Sequence, residues 1–416
     1  MKHLIVTEGY GSLLINNTAD DALTNREAQE LLDYIELKEL DKDNIILTIN
    51  EVKFINYVGY IRLSSCSIEI LPKVNGNAEQ SRKVLLEMLN TSGFLKISES
   101  ELSEVTLIKE NLFEIIGYLF SRRLNKEVKK GLYRSYVLEN DHLHRLRGKI
   151  NIKEQMSNTI SKTTSVACEY DEFKTDNLLN QILKKTMDTL LKRVRNNETK
   201  KFLTHDIAHF EEVSAIPVLV YQLENIHFNR NNQRFYNSYL LAKLILLESS
   251  SLFQNGLNQN FSILFKMNEL FEEYIAYLAK QLFQDVTVKD RSYKLLVNEN
   301  TGRKNFLLEP DLLINGDCGK PLIIDTKWKR YDPFSSSHGI QRNDLYQMYA
   351  YLTRYDTVQA VVLLYPHDRT SKYNSGECLN TWYLEGDHSK KIKCYTINYE
   401  TKKDTLCELQ RIVKEL

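Results

Sequence analysis

The sequence predicts a multidomain α+β protein with three successive regions. Short strand-like runs dominate residues 1–100, apolar residues spaced three and four apart dominate residues 101–255, and residues 256–416 combine helices with strands. A chain of 416 residues exceeds what one hydrophobic core usually supports. We therefore expect an N-terminal β-rich domain, a mainly helical middle region with a basic stretch, and a C-terminal α/β domain with a mixed central sheet.

The composition is that of an ordinary globular protein. Lys and Arg balance Asp and Glu at 55 each, so a binding site for a polyanion has to be a local patch. No apolar run approaches the ~20 residues of a membrane span, and the first residues lack the apolar core of a signal peptide. We expect a cytoplasmic protein without membrane contact. The six cysteines form no CxxC pair, which argues against a disulfide framework or a zinc ribbon.

The N-terminal region alternates strand-like runs with two amphipathic helices. The first helix is expected to begin at Thr24, because Glu27 follows three residues later as in a capping box. The second is expected over Arg82 to Leu89. The expected strands are Ile45 to Ile49, Tyr57 to Leu63 and Ser67 to Leu71.

The middle region carries a basic stretch, which we define as residues 121–153. It holds ten Lys or Arg residues against three acids, in a chain whose net charge is zero. Basic side chains interleaved with tyrosines suit a nucleic-acid backbone. A solvated face of helix and loop explains the same charges equally well. The candidate DNA-binding residues are Arg122, Arg123, Lys129, Lys130, Arg134, Arg145, Arg147 and Lys149.

The C-terminal region is predicted to open with one helix over Asn258 to Leu282, followed by strands at Tyr293 to Val297 and at Phe306 to Ile314. Further on, a helix is expected over Ile340 to Tyr355 and a buried strand over Val358 to Tyr365. Helices flanking several strands indicate an α/β sandwich.

The segment from Leu308 to Lys329 is the part of the sequence that indicates a chemistry. Two apolar runs flank a turn-rich break at residues 315–319, which predicts a β-hairpin. Asp311 opens the first run, and Asp325 and Lys327 end the second. Since strand side chains alternate between faces, Asp325 and Lys327 should point to the same side.

Two carboxylates and an ammonium group suit the metal-dependent hydrolysis of a phosphodiester. Carboxylate oxygens are suitable ligands for a divalent cation, and a lysine stabilises charge that develops on the phosphate. Glu272, from the preceding helix, is a candidate third carboxylate, and Gln347 and Tyr351 form a polar stripe on the later helix. Taken singly, an Asp-x-Lys strand is usually an exposed ion pair and Pro-Asp a turn signal.

These motifs resemble a known superfamily. PD followed by DTK, with FEEYI upstream and QMYAY downstream, resembles the PD-(D/E)XK nucleases. NELFEEYI, EPDLLI, IIDTKWK and NDLYQMYAY resemble McrC, the nuclease subunit of McrBC-type restriction systems. The likeness extends to YVGYIRLSSCSIEILPKV, RLRGKI and CEYDEFKTDNLLNQILK in the first two regions. The resemblance therefore covers most of the chain.

The resemblance implies roles for residues at matching positions. It implies an Mg²⁺-dependent (or Mn²⁺-dependent) endonuclease that cleaves double-stranded DNA. Asp311, Asp325 and Glu272 would be the metal ligands. The catalytic set would be Asp311, Asp325, Lys327, Glu272, Gln347 and Tyr351.

The resemblance also implies a partner, an McrB-like AAA+ GTPase ring that the β-rich region engages and stimulates. The chain itself lacks a GxxxxGK[ST] phosphate loop, which agrees with a separate motor subunit. Two nuclease domains would meet to cut both strands. We expect deletion of residues 1–100 to abolish stimulation and to leave the metal site intact. The alternative is a non-cleaving, DNA-binding adaptor that activates an AAA+ NTPase.

Overall fold

Contacts between residues divide the chain into two units. Met1–Leu102 and Leu264–Leu416 together form unit 1, and Ser103–Ile263 form unit 2. The computed structural model describes residues 2–74, 76–106, 110–160, 164–253, 261–315, 321–331, 339–368 and 372–416. The predicted boundaries near residues 100 and 255 lie close to the points where the chain passes between the units. The first and third predicted regions, however, belong to the same unit.

The N-terminal part of unit 1 is β-rich. Its first helix begins as predicted, because the Thr24 side chain accepts the Glu27 amide N–H while the Glu27 carboxylate accepts the Thr24 N–H. The elements are β1 (Lys2–Thr7), β2 (Leu13–Leu14), α1 (Asn25–Leu37), β3 (Ile45–Leu47), β4 (Glu51–Phe54), β5 (Tyr57–Arg62), β6 (Cys66–Leu71), α2 (Ala78–Thr91) and α3 (Glu99–Thr106), within which this part of the unit ends. Strands β5 and β6 are antiparallel, and β1 lies parallel to β6.

Unit 2 is mainly helical, but it also contains a sheet that we did not predict. The elements are α4 (Leu112–Val128), β7 (Ser135–Leu143), β8 (Lys149–Ile150), α5 (Ile152–Ile160), β9 (Val166–Lys174), α6 (Leu178–Leu191), α7 (Asn197–Ile207), α8 (Val220–Glu224) and α9 (Tyr236–Phe253). The sheet has the strand order β7-β9-β8, and β7 and β8 lie within the basic stretch. No residue of β7 is buried, so its sequence lacks the alternation of apolar and polar residues that marks a half-buried strand.

The C-terminal part of unit 1 combines helices with a large sheet. In the described part of the chain, no helix combines the length and apolarity needed to cross a lipid bilayer. The boundary between the units falls within β10 (Phe261–Lys266). The elements that follow it are α10 (Met267–Leu282), β11 (Val286–Val288), β12 (Lys294–Val297), β13 (Lys304–Leu307), β14 (Leu312–Asn315), β15 (Pro321–Thr326), α11 (Arg342–Arg354), β16 (Ala360–Pro366), β17 (Cys378–Leu384), β18 (Asp387–Ile397) and α12 (Lys402–Lys414).

A six-stranded mixed sheet, in the order β11-β14-β15-β16-β18-β17, supports the candidate site. Strand β15 is antiparallel to β14 and parallel to β16, so it is hydrogen-bonded on both edges. Side chains of α11, among them Met348 and Leu352, pack with Ile323, Val361 and Leu363 of the sheet in one buried cluster. The packing fixes α11 against the strands that carry the predicted catalytic residues.

Two predicted elements differ from the structure. Phe261–Lys266 is strand β10, and the helix begins only at Met267. The apolar residues of this strand fit the period of a helix as well as that of a strand, because a buried strand lacks the regular alternation of apolar and polar residues. The predicted strand over Phe306 to Ile314 is interrupted between β13 and β14. Pro310 lies in that gap and has no N–H to donate to a sheet.

Candidate active site

Asp311 is fastened to the neighbouring strand. It immediately precedes β14, and its Oδ2 accepts hydrogen bonds from both the amide N–H (2.6 Å) and the hydroxyl (2.7 Å) of Thr326. The hairpin predicted from the sequence is present, with Leu312 opposite Ile324 and Asn315 opposite Pro321. Residues 316–319 of the predicted turn lie outside the described residues. The hairpin thus brings Asp311 beside the strand end that carries Asp325.

Lys327 and Asp325 point to the same side, as predicted. Lys327 follows β15 directly, and its N–H donates to the carbonyl of Leu364 on β16 at 2.9 Å. Its ammonium nitrogen lies 2.5 Å from Oδ2 of Asp325, whose side chain is 1% exposed. A buried carboxylate and an ammonium therefore form an ion pair at the end of the central strand.

Helix α11 contributes the two residues predicted from it. The Oε1 of Gln347 accepts a hydrogen bond from the Lys327 ammonium at 3.0 Å. The Nε2 of Gln347 donates to the hydroxyl of Tyr351 (2.8 Å), which in turn donates to the carbonyl of Glu309 (3.1 Å). The chain of hydrogen bonds orients Gln347 toward Lys327.

Asp344, in the first turn of the same helix, has a different partner. Its carboxylate oxygens accept from the ammonium of Lys329 at 3.1 Å each. Lys329 also donates to the side-chain oxygen of Gln341 at 2.7 Å. Since Lys327 and Lys329 are two residues apart, both reach the same helix. They thereby attach the segment after β15 to the start of α11.

Glu272 approaches the site through a lysine. Its Oε1 lies 3.0 Å from the Nζ of Lys289, which follows β11. The backbone N–H of Lys289 donates to the carbonyl of Asp311 at 3.0 Å. Lys289 adopts a φ of 52°, a left-handed conformation that few non-glycine residues take. A strained turn therefore places one ammonium group beside Glu272 and one amide beside Asp311.

The three carboxyl groups are harder to ionise than ordinary acids. Burial, followed by the charge of Asp311, raises the pKa of Asp325 to about 7, although Lys327 opposes the shift. Burial also raises the pKa of Asp311 despite its bonds from Thr326. For Glu272, burial and then Asp311 raise the pKa. Three carboxyl groups therefore lie in one partly to fully buried site, where desolvation disfavours their ionised forms.

The Lys327 ammonium is held in its charged form. Burial lowers its pKa, but the neighbouring Asp325 carboxylate raises it more, and the net shift is upward. A lysine that stays charged in a largely buried position is suited to stabilising an anion.

The donor types at the site fit a magnesium ion. The Oδ2 of Asp325 and the Oε1 of Glu272 are buried and, within the described residues, receive no well-directed hydrogen bond; each only lies near an ammonium. In the same part of the chain, no three His, Cys, Asp or Glu side chains are grouped closely enough to hold a metal ion. Mg²⁺ usually takes only one or two carboxylates, with water and substrate phosphate as further ligands. Asp311 and Asp325 suit that arrangement.

Comparisons with known proteins decide the family. A model of the McrBC 5-methylcytosine restriction system component matches residues 52–366. The chain belongs to this family. The match confirms the resemblance predicted from the motifs, and it includes every candidate catalytic residue. Among curated proteins, no sequence match was found.

Solved structures share the fold of this McrBC component. A chain of the refined half-complex from the tetradecameric assembly of Thermococcus gammatolerans McrB AAA+ hexamers with bound McrC covers 99% of both chains, with 20% identity and a TM-score of 0.74. A chain of the Thermococcus gammatolerans McrBC complex covers 67% of this chain and 87% of its own length, with 24% identity and a TM-score of 0.52. At these identities the likeness establishes a common fold.

The candidate DNA-binding residues are distributed over several elements of unit 2. Arg122 and Arg123 lie on α4, and Lys129 and Lys130 follow it. Arg147 stacks on the ring of Tyr170, 4.0 Å from its centroid, and contacts Glu172 at 3.1 Å. Arg134, Arg145 and Lys149 are exposed on or beside the β7-β9-β8 sheet. Their contact with DNA stays a prediction.

Sequence reasoning missed three residues that the structure places at the site. Thr326 donates twice to Asp311, Lys289 contacts Glu272, and Lys329 binds α11. Thr326 lies inside the Asp-Thr-Lys motif, and Lys329 is two residues beyond Lys327, so the period-2 rule would have placed Lys329 on the same side. Lys289 carries no local signal, because its role depends on a turn and on contacts between distant segments.

Proposed function

We propose that the chain is an Mg²⁺-dependent (or Mn²⁺-dependent) DNA endonuclease subunit of an McrBC-type restriction system. The observation that supports this most is the convergence of Asp311, Asp325 and Lys327 at one end of a rigid strand pair. Gln347 and Tyr351 complete the arrangement from α11. The nuclease fold of the C-terminal part and the cleavage of double-stranded DNA belong to this proposal.

Each residue has a distinct task in phosphodiester hydrolysis. Asp311 and Asp325 present oxygen ligands from rigid backbone, with Glu272 as a third carboxylate nearby. When bound, Mg²⁺ supplies Lewis-acid stabilisation of the phosphate charge. Lys327 stabilises negative charge on the phosphate oxygens, and Gln347 keeps its ammonium oriented. Burial of these groups strengthens their electrostatic effect, because little water screens them.

We infer that an AAA+ GTPase related to McrB is the partner. The related Thermococcus gammatolerans assembly contains McrB AAA+ hexamers with bound McrC. The absence of a phosphate loop from this sequence supports a division of labour between motor and nuclease. We also propose that the β-rich region engages the motor and that two nuclease sites pair to cut both strands.

A plasmid-cleavage assay tests the proposal. The full chain, with its AAA+ partner and GTP, should linearise plasmid DNA in Mg²⁺ but not in EDTA. Asp325→Ala should abolish cleavage while partner binding persists. The matched control is Asp387→Ala, which removes a carboxylate from the first residue of β18 and should cleave normally.

Two outcomes contradict the proposal. Full activity of Asp325→Ala would exclude this site as the source of cleavage. Stimulation of the partner's GTPase and DNA binding without any cleavage by the parent protein would favour the adaptor role instead.

A further inference from the structure

A buried carboxylate from the N-terminal part of unit 1 contacts the segment after β15, which carries Lys327. Glu8 follows β1 and is 1% exposed. Its Oε1 accepts a hydrogen bond from the indole Nε1 of Trp328 at 2.8 Å. The ammonium of Lys73, which follows β6, lies 3.7 Å from the same oxygen. Because Trp328 is the residue next to Lys327, this contact fixes the backbone on which the catalytic lysine is mounted.

The second oxygen of Glu8 reaches another element of the candidate site. Its Oε2 accepts the amide N–H of Asn56 at 3.2 Å. Asn56 in turn accepts hydrogen bonds from the first two backbone N–H groups of α10. Its carbonyl oxygen accepts from the Met267 N–H (2.9 Å), and its side-chain oxygen accepts from the Asn268 N–H (2.7 Å). The residue before α10, Lys266, makes no capping bond with its own side chain. Asn56 therefore acts as the cap of the helix that carries Glu272.

Aromatic packing joins the same two elements. The ring of Trp328 lies 5.2 Å from the ring of Phe271, the neighbour of Glu272, and 5.1 Å from that of Tyr399. The hydroxyl of Tyr399 donates to the carbonyl of Lys73 at 2.6 Å. Lys73 also places its ammonium 4.9 Å above the Trp328 ring. The residues around Glu8 thus meet both the strand of Lys327 and the helix of Glu272.

A buried carboxylate adds little to the stability of a fold, but it can fix the orientation of the groups that donate hydrogen bonds to it. Desolvating it costs free energy that its partners only offset, whereas its directed hydrogen bonds permit one arrangement of the donors. An apolar side chain would fill the same space without fixing the indole. The presence of Glu8 therefore indicates that the orientation of Trp328 and Asn56 matters.

We propose that Glu8 is a positioning residue of the nuclease site, aligning Lys327 through Trp328 and Glu272 through Asn56. The inference rests on the proposed function and adds residues from the N-terminal region to it. It also replaces the expectation that residues 1–100 can be removed without effect on the metal site, because their removal exposes Trp328 and uncaps α10.

The test compares two buried acids of the N-terminal region in the full chain. Glu8→Ala removes the acceptor, whereas Glu8→Gln keeps an oxygen that accepts from the indole. The control is Glu27→Ala: Glu27 is 5% exposed, and its contacts are with Thr24, Ser65 and Lys2, none of which lies on α10 or β15. Amide hydrogen exchange is measured over the start of α10 and the end of β15, and cleavage is measured with the partner, GTP and Mg²⁺.

Glu8→Ala should speed exchange in both segments and lower kcat about 10- to 100-fold, because small misplacements of catalytic groups are costly. KM for DNA should stay within about twofold, because Glu8 is buried away from substrate. Glu8→Gln should recover most of the rate. Should Glu8→Ala fold poorly, Trp328→Phe keeps the aromatic packing, removes the N–H donor and should shift both measurements in the same direction.

Unchanged exchange in both segments, or an equal loss of kcat in Glu27→Ala, overturns the positioning role. A parent protein that cleaves no DNA overturns the proposed function instead. The exchange measurement needs no activity, so it decides the role of Glu8 in either case.

Discussion

Gln347 accepts a hydrogen bond from Lys327, with 3.0 Å between Oε1 and Nζ, and so turns a flexible ammonium into an oriented one. Gln347 is itself held by Tyr351. Gln347→Ala should lower kcat for DNA cleavage about tenfold, which is typical when the partner of a catalytic group is removed. Steady-state cleavage kinetics measure the effect. Tyr346→Ala, an exposed neighbour on the same helix, should leave kcat unchanged, and an equal effect in both variants would contradict an orienting role.

Lys327→Met tests the role of the ammonium charge, because methionine keeps a side chain of similar length. Loss of an ammonium that stabilises the transition state should reduce cleavage about 100- to 1,000-fold. DNA affinity in EDTA should change little, because one buried lysine contributes little to overall binding. Single-turnover cleavage measures the rate. Lys329→Met is the control, since Lys329 binds Asp344 and Gln341 rather than Asp325. A comparable loss in both variants would argue for a structural role of these lysines.

The raised pKa of Asp325 predicts how stability depends on pH. In the folded protein this pKa is about 7, against an ordinary value of 3.8, so the folded state binds the proton more tightly than the unfolded state. The protonated group therefore favours folding at low pH, and this advantage is lost as the pH rises through that window. Asp325→Asn should consequently gain stability relative to the parent between about pH 4 and pH 7, on the order of 2–4 kcal/mol.

Chemical unfolding in EDTA across this pH range measures the difference. The same series in Mg²⁺ should narrow the gap, because a cation stabilises the ionised carboxylates of the parent. A difference independent of pH would contradict the assignment of the shift to Asp325.

The basic stretch can be tested through its exposed members. Removing the charges of Arg134 and Lys149 together should weaken duplex binding and lower the salt slope by roughly one unit per lost phosphate contact. Fluorescence anisotropy with Asp325→Ala protein in EDTA measures binding without cleavage. The matched control removes the charges of Lys200 and Lys201, which lie on α7 in the same unit. Equal, small effects of both pairs would support a solvated face instead.

The capping box of α1 separates stability from activity. Thr24→Ala removes the side-chain acceptor of the Glu27 N–H and should cost about 1 kcal/mol of unfolding free energy. Cleavage at a temperature where the protein stays folded should be unchanged, because Thr24 contacts no residue of the candidate site. Thr18→Ala, a nearby exposed threonine outside the helix, is the control. A loss of kcat in Thr24→Ala would show that α1 bears on the site.

Local sequence patterns predicted the hairpin of β14 and β15, because a hairpin is encoded in a few consecutive residues. The period of two along β15 places Asp325 and Lys327 on one side, and the capping box marks the start of α1. Helical spacing placed Gln347 and Tyr351 on one face of α11, and the family resemblance then assigned them to the site. The pattern did not distinguish strand β10 from helix, since a buried run lacks the polar residues that reveal a period.

Local sequence patterns could not predict the contacts between residues that are distant in the sequence. Glu8 and Trp328 are far apart in the sequence, and neither has a local signal for the hydrogen bond between them. Lys289 reaches Glu272 from a turn with an uncommon backbone conformation. Register and capping are encoded in a few consecutive residues, whereas these pairings depend on the fold as a whole.

The discontinuity of unit 1 has a consequence for biosynthesis. The residues up to Leu102 leave the ribosome well before residues 264–416, which complete the same unit. At roughly 5–20 residues per second, synthesis of the intervening unit takes on the order of ten seconds. For that time the indole partner of Glu8 and the helix that Asn56 caps do not yet exist. During this interval the nascent N-terminal strands lack these packing partners, so we expect their apolar faces to be open to binding by a chaperone.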